Sequence, residues 1–314
     1  MRIVLFGCGA KATVVLQKLL DLKEDVVGMI HADVDKHEVV TYQQPWQLAL
    51  ENDITLYTRE DNLVSLFKDI NPDAIFVVGW RYKIPKEQYS IPQKGTIVFH
   101  DSLLPKYRGF APMNWAIING EIKTGVTMFY IADEVDSGDI IGKAEIPITE
   151  YDYAKDVETK ITQSYLGLLT AYLPLIILDK VKATSQDHTQ ATYTCKRIPA
   201  DGLIDWSKTS MQVYNLIRGL TEPYPGAFTY LHDNKSPRKM FIWKASLDTE
   251  YKQYVGRVPG RVADIIKGKG VRVLTGFGSL IIERVGFEFG STERDLQADE
   301  VIKSIKTTLS GLDK

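Results

Sequence analysis

Gly95-Thr96-Ile97-Val98-Phe99-His100-Asp101-Ser102-Leu103-Leu104-Pro105-Lys106-Tyr107-Arg108-Gly109 decides how the larger, amino-terminal part of the chain is read. Residues 95–100 are apolar, β-branched and aromatic, which predicts a buried strand ending at His100, whereas residues 102–109 carry the Ser, Pro and Gly of a turn. An imidazole delivered by a strand's carboxyl end to a loop is where open α/β sheets place their sites. Residues 126–131 predict another strand, followed by an acidic, Gly-containing loop at 133–139. If the two strands are neighbours, Asp136 reaches His100 and orients its ring.

Working outward, residues 3–6, the turn Gly7-Cys8-Gly9-Ala10, residues 12–20 and residues 26–31 read as strand, tight turn, helix and strand. A helical pattern at 63–70 precedes a third strand at 74–78, and the His100 strand follows the turn Pro92-Gln93-Lys94-Gly95. That alternation predicts an α/β fold, a Rossmann-like, doubly wound, mostly parallel sheet with helices on both faces. The Gly7-x-Gly9 turn, with Ala12 at the third position and Asp33 as a ribose-binding acid, also fits the outline of a dinucleotide fingerprint. A single short copy is weak evidence, and the turn is read as structural.

Residues 151–179 carry a long helical pattern, and residues 183–199 turn polar, which marks a linker or boundary. Beyond it come an amphipathic helix at 213–220 and short strands at 227–231, 241–245, 260–266, 271–274 and 279–285, the pattern of a small barrel or sandwich. The expected division is 1–200 and 201–314, the second part smaller and β-rich.

The 314 residues are 44% hydrophobic and 25% charged, with a net charge of -2. That balance argues against nucleic acid as a partner, since counterion release needs a basic surface. Cys8 and Cys195 lie far apart in a chain too large to need a disulfide staple, so a reducing, cytoplasmic setting is expected. The apolar run at 166–178 is interrupted by Thr170, Tyr172 and Pro174 and is too short for a membrane span, and residues 1–7 lack the architecture of a cleaved signal.

The run from Ser102 to Gly109 after a histidine, with Thr124-Gly125-Val126-Thr127 and Asp136-Ser137-Gly138-Asp139-Ile140 downstream, resembles the signature of the 10-formyltetrahydrofolate-dependent formyltransferases. That superfamily contains methionyl-tRNA, glycinamide-ribotide and amino-sugar enzymes. Asp201-Gly202-Leu203-Ile204-Asp205-Trp206, Asn215-Leu216-Ile217-Arg218 and Pro223-Tyr224-Pro225-Gly226-Ala227-Phe228 resemble the second part of the 4-amino-arabinose formyltransferase and its nucleotide-sugar relatives. The resemblance implies a formyltransferase fold followed by an OB-like domain, 10-formyltetrahydrofolate as formyl donor, no metal, and often a homodimer. It implies His100 and Asp136 as catalytic residues, and folate contacts from Gly79, Trp80, Arg81, Tyr82 and Ile84 together with Val135, Asp136, Gly138 and Asp139. Ser102, Lys106, Tyr107, Arg108 and Gly109 fall to the substrate.

Other readings stand beside several of these. Trp80 and Tyr82 are equally suited to packing, Asp139 to capping loop amides, and Ser102 to a hydrogen-bonded turn, because its surroundings are no nucleophile elbow. Arg197 and Arg218, with Lys106 and Arg108, are candidates for a diphosphate, because an Arg fork matches its oxygens. Tyr224 and Phe228 suit either a nucleobase or the core.

One residue departs from the family pattern. The family's catalytic set is Asn-x-His with a later Asp, and the asparagine position holds Val98. Strand side chains alternate, so Val98 lines the same face as His100. Formyl transfer to an amine develops an oxyanion and sheds a proton. Three explanations stand: another donor, a backbone amide, Arg81 or a neighbouring side chain, replaces the amide, which is the working expectation; the His100 imidazolium carries the oxyanion alone; or the enzyme is slow or inactive. The acceptor implied is the amine of a nucleotide-linked 4-amino-4,6-dideoxy sugar. The alternatives are a methionyl-tRNA formyltransferase, for which the segment 31–38 lacks the expected basic insertion, and a non-catalytic folate or nucleotide-sugar binding relative.

Overall fold

The structure, a computed structural model, describes residues 1–33, 43–232, 236–250, 252–287 and 295–311. The first strand, β1 (Arg2–Gly7), is buried on both faces after its first residue, as an inner strand of a parallel sheet must be. Helix α1 (Gly9–Asp21) carries the chain to β2 (Asp25–His31), parallel to β1. A Cβ on Gly7 would lie 2.7 Å from the Ala12 Cβ, so glycine lets the helix pack closely on the strand that precedes it. Then follow α2 (Pro45–Glu51), β3 (Leu56–Tyr57), α3 (Leu63–Ile70), β4 (Ala74–Val78), α4 (Lys86–Tyr89) and β5 (Thr96–His100). The Asn62 side chain caps α3 by accepting from the Ser65 amide.

After a two-residue strand β6 (Arg108–Gly109) and α5 (Pro112–Ile118), strands β7 (Lys123–Tyr130) and β8 (Ile140–Pro147) complete the sheet, and α6 (Ala154–Ile177) packs across it. The spatial order is β3-β2-β1-β4-β5-β7-β8. The first five strands are parallel, and β7 and β8 are antiparallel to their neighbours, so the sheet is mostly parallel, as expected. The strand expected as the third is the fourth in the chain, because Leu56–Tyr57 is too short to show a period. Strand β8 and helix α5 are absent from the sequence reading: β8 is a half-exposed edge strand and α5 spans seven residues.

The chain then forms the short β9 (Tyr193–Thr194), which pairs in parallel with β6. Helix α7 (Ser210–Leu220) buries Val213, Tyr214, Ile217 and Leu220 at helical spacing. It leads into β10 (Ala227–His232), β11 (Arg238–Leu247), β12 (Val262–Ile266), β13 (Gly270–Leu274), β14 (Ser279–Gly286), β15 (Leu296–Gln297), α8 (Ala298–Val301) and β16 (Thr308–Ser310). The main path of this antiparallel sheet is β12-β13-β14-β11-β10-β16, and a bridge between Arg261 and Thr308 draws its two edges together into a half-barrel. The larger core is built from residues between 3 and 176, a second cluster in the same part from residues between 4 and 84, and a third from residues between 204 and 309. Phe228, Phe241 and Trp243 form a small separate aromatic cluster, so Phe228 packs within the protein, and Tyr224 packs partly against the first core.

Polar bonds join the two parts. The Arg218 guanidinium donates to the Thr149 and Asp152 carbonyls and to the Asn215 side chain, and the Asn114 amide donates to the Gly219 carbonyl. Arg218 is 4% exposed, and burial pulls its guanidinium below the usual arginine range. Its fork is therefore occupied by the joint between the two parts.

Candidate active site

His100 ends β5 with its ring buried. Its Nε2 lies 2.7 Å from the Tyr107 carbonyl oxygen. A carbonyl only accepts, so Nε2 carries a proton and donates it. Nδ1 is the edge left for chemistry, and it faces the Asp136 carboxylate at 3.6 Å. The same Asp136 oxygen accepts from the Gly109 amide at 2.8 Å, which fixes the carboxylate against the turn after His100.

Asp136 reaches this place by a route that strand adjacency alone does not show. Strand β7 runs antiparallel to β5, with Tyr130 opposite Ile97 and Thr127 opposite His100. The chain therefore leaves β7 about 10 Å from the level of His100, at ~3.3 Å per residue. Loop 131–139 folds back along β5 to bring Asp136 to the imidazole. Several bonds hold the returning loop. Asp133 pairs with Lys86 at 2.8 Å and accepts from the Tyr89 hydroxyl, and these hydrogen bonds hold its carboxyl below the usual range. The Ser137 hydroxyl donates to the Glu134 carbonyl, and the Gln186 amide donates to the Asp136 and Gly138 carbonyls. A Cβ on Gly138 would sit 1.8 Å from the Tyr130 carbonyl oxygen, so glycine is required there.

Left-handed backbone gathers at this point. Tyr107, Ala111 and Asp136 have φ of 59°, 49° and 51°, and Gly109 has φ of 102°. Such residues cost on the order of 1–3 kcal/mol each outside glycine and persist where the surroundings over-determine them. Tyr107 uses that conformation to aim its carbonyl at His100.

Behind His100 lies a second polar group. Asp101 pairs with Lys11 of α1 at 2.5 Å and accepts from the Tyr165 hydroxyl of α6 at 2.5 Å. Burial pushes the Asp101 carboxyl up, but the Lys11 ammonium and the Tyr165 hydroxyl outweigh it and hold it below the usual carboxylate range. A carboxyl lowered in the fold contributes stability above its unfolded pKa and loses it as pH falls through the folded value. Lys11→Met is expected to cost about 1–3 kcal/mol near neutral pH, because it leaves the Asp101 carboxylate with the Tyr165 hydroxyl but without its cation. The deficit should shrink as acid protonates Asp101, which urea unfolding at a series of pH values measures.

The other expected site residues fall into distinct places. Gly79 has φ of 64°, and a Cβ there would meet the Cys8 carbonyl at 2.4 Å, so the Gly7-x-Gly9 turn packs against the end of β4. Cys8 also donates its thiol to the Gly79 carbonyl. Trp80 packs edge-on against Phe6 and Tyr82, Tyr82 lies under Arg59, and Arg81 is half-buried. Ile84 is buried, and Val98, Trp80 and Ile131 pack against its cluster. Val98 is half-buried on this apolar floor. Val135 and Asp139 are exposed. Trp80, Ile84 and Ile131 bring the segments after β4 and β7 onto this apolar cluster, a surface that suits a flat ring.

Ser102 is buried and donates to the Lys106 carbonyl within its own turn, while its carbonyl accepts from Thr127. Lys106 is exposed, and the Tyr107 hydroxyl donates to Glu121. Arg108 is 1% exposed and donates to Gln186, His188 and Tyr193, so its fork faces inward rather than toward a diphosphate. Arg197 stacks on Trp115. Asp33 is exposed, and residues 34–38 of the segment weighed for tRNA lie outside the described residues.

The sequence reading missed Gln186, Thr192 and the Lys11–Asp101–Tyr165 group. Thr192 accepts from the Tyr107 amide, and Gln186 bridges to loop 131–139. Both sit in the polar run read as a linker, where no periodicity marks a buried side chain.

Residues 1–171 match the model of the family described as formyl transferase, and residues 197–300 match that of its C-terminal domain. The chain is 34% identical over 255 residues to the bifunctional polymyxin resistance protein ArnA of Wigglesworthia glossinidia brevipalpis; the match covers 80% of this chain and 38% of that protein's length. It is 34% identical over 290 residues to methionyl-tRNA formyltransferase of Fusobacterium nucleatum, covering 90% of this chain and 91% of that one. Among solved structures, the N-formyltransferase from Helicobacter canadensis, in complex with folinic acid and dTDP-3-aminofucose, superposes with a TM-score of 0.71 at 20% identity, covering 89% of this chain and 98% of that one. At that identity the likeness shows the fold.

Proposed function

Since the chain belongs to the formyl transferase family, we propose that it moves a formyl group from 10-formyltetrahydrofolate to the amine of a nucleotide-linked 4-amino-4,6-dideoxy sugar, for building surface glycans. The reading rests above all on one observation, the meeting of His100 Nδ1 and Asp136 at 3.6 Å on the strand whose Val98 packs against an apolar cluster. The folate supplies the formyl group at its activated nitrogen. In the protein, Ile84, Val98 and Ile131 would support the ring, and the main chain of 79–84 and 135–139 would meet its polar edges.

The proton work falls to His100. Its Nε2–H stays on the Tyr107 carbonyl, so the proton shed by the attacking amine goes to the Nδ1 edge, where Asp136 keeps the imidazolium in place. The same charged ring then faces the developing oxyanion and returns its Nδ1 proton to the folate nitrogen as the bond from that nitrogen to the formyl carbon breaks, releasing tetrahydrofolate and leaving the formyl group on the amine. This takes the second of the three explanations for Val98, in which the imidazolium serves in place of an amide.

Incubation with 10-formyltetrahydrofolate and dTDP-, UDP- and GDP-linked 4-amino sugars, read by mass spectrometry, is expected to show the mass gain of one formyl group on at least one. No gain across the panel sinks the reading. The match to methionyl-tRNA formyltransferase over 91% of its length favours a second reading, formylation of methionyl-tRNA, and the same assay with that acceptor separates the two. Folinic acid binding without turnover on any acceptor would leave a non-catalytic relative.

A further inference from the structure

Gln186 is 5% exposed in a run whose neighbours are largely exposed, and all of its hydrogen-bonding capacity points inward. Its side-chain oxygen accepts from Arg108 at 2.6 Å. Its amide donates one proton to the Asp136 carbonyl at 2.9 Å and the other to the Gly138 carbonyl at 2.8 Å. Arg108 in turn stands between the two residues that grip the catalytic pair, because the Tyr107 carbonyl holds His100 and the Gly109 amide holds Asp136. One side chain thus joins the turn after β5 to the loop that folds back over it.

Two features make this bridge more than packing. Asp136 has φ of 51°, a left-handed conformation uncommon outside glycine, and the Gln186 amide bonds that residue's own carbonyl. The anchor at the other end is a buried guanidinium held by neutral partners, Gln186, His188 and Tyr193, so the bond to Gln186 is charge-assisted and short. An amide is the group the position needs, since one atom must accept from an arginine while another donates to two carbonyls.

We propose that Gln186 is a positioning residue for formyl transfer, holding loop 131–139 so that the Asp136 carboxylate stays beside His100. This rests on the roles given above to His100 and Asp136.

Gln186→Glu and Gln186→Met separate positioning from structure. The glutamate keeps an oxygen for Arg108 but has no proton for the two carbonyls, and the methionine keeps only the length. Both variants should unfold cooperatively and bind folinic acid. In both, kcat should fall on the order of ten- to hundredfold, as when a supporting hydrogen-bond partner is lost, with KM for the acceptor amine little changed. A second readout needs no substrate: the 15N signals of the His100 ring nitrogens should move in Gln186→Glu as the carboxylate leaves. A merely structural residue predicts instead that both variants lose stability while the folded protein keeps its kcat and its His100 signals. Wild-type kcat in Gln186→Glu with the His100 signals in place overturns the proposal. Should the wild-type protein formylate no acceptor, the functional reading fails by itself and the ring-nitrogen signals alone decide Gln186.

Discussion

His100→Gln is expected to lower kcat by about a hundred- to ten-thousandfold, the range a positioned acid–base group supplies. Glutamine is the informative replacement because its amide can still donate to the Tyr107 carbonyl, the bond that His100 Nε2 makes now. The turn after β5 should therefore keep its shape, and folinic acid should bind as before. What disappears is the Nδ1 edge that faces Asp136, the atom that would take the proton from the amine. The loss should appear in kcat rather than in KM, which steady-state kinetics on the accepted amine separates. A His100→Gln protein that turns over within about tenfold of wild type would assign the proton to another group, since a general base contributes more than that.

The turn from β5 shows how much of this site was legible in the amino-acid sequence. A continuous apolar run ending in histidine can hardly be anything but a buried strand, and the strand is there at Thr96–His100. The alternation of strands and helices likewise carried the mostly parallel sheet, because inner parallel strands are apolar on both faces. Elements of two to eight residues at the edges, such as β3, α5 and β8, were not legible, since a short or half-exposed segment shows no period. The pairing of His100 with Asp136 could be expected from the motif, but not the path that makes it. That path depends on β7 being antiparallel and on a loop held by Lys86, Tyr89 and Gln186, contacts between residues remote in sequence. Arginines were the least legible of all. Arg108 and Arg218 look like phosphate ligands in a string of letters, and in the fold the terminal nitrogens of Arg108 turn to Gln186, His188 and Tyr193 and Arg218 turns to main-chain carbonyls.

Val98→Asn tests the departure at the centre of the site. In many proteins an added donor at such a place would be expected to help, since one oxyanion donor is worth about a hundred- to a thousandfold in rate. Here the surroundings argue the other way. Val98, like Ile131 and Trp80, packs against the apolar cluster that holds Ile84, the floor proposed for the folate ring. An amide placed there without partners loses about 1–3 kcal/mol. At 1.4 kcal/mol for each factor of ten, kcat/KM should then fall about ten- to a hundredfold, mostly through a higher KM for the folate. Val98→Ile, which keeps the floor apolar, should stay close to wild type in the same assay. If Val98→Asn instead gains a hundredfold or more in kcat, the imidazolium of His100 does not carry the oxyanion by itself. The wild-type chain would then be an impaired enzyme, one amide short of the family's usual set, rather than one whose site works through His100 alone.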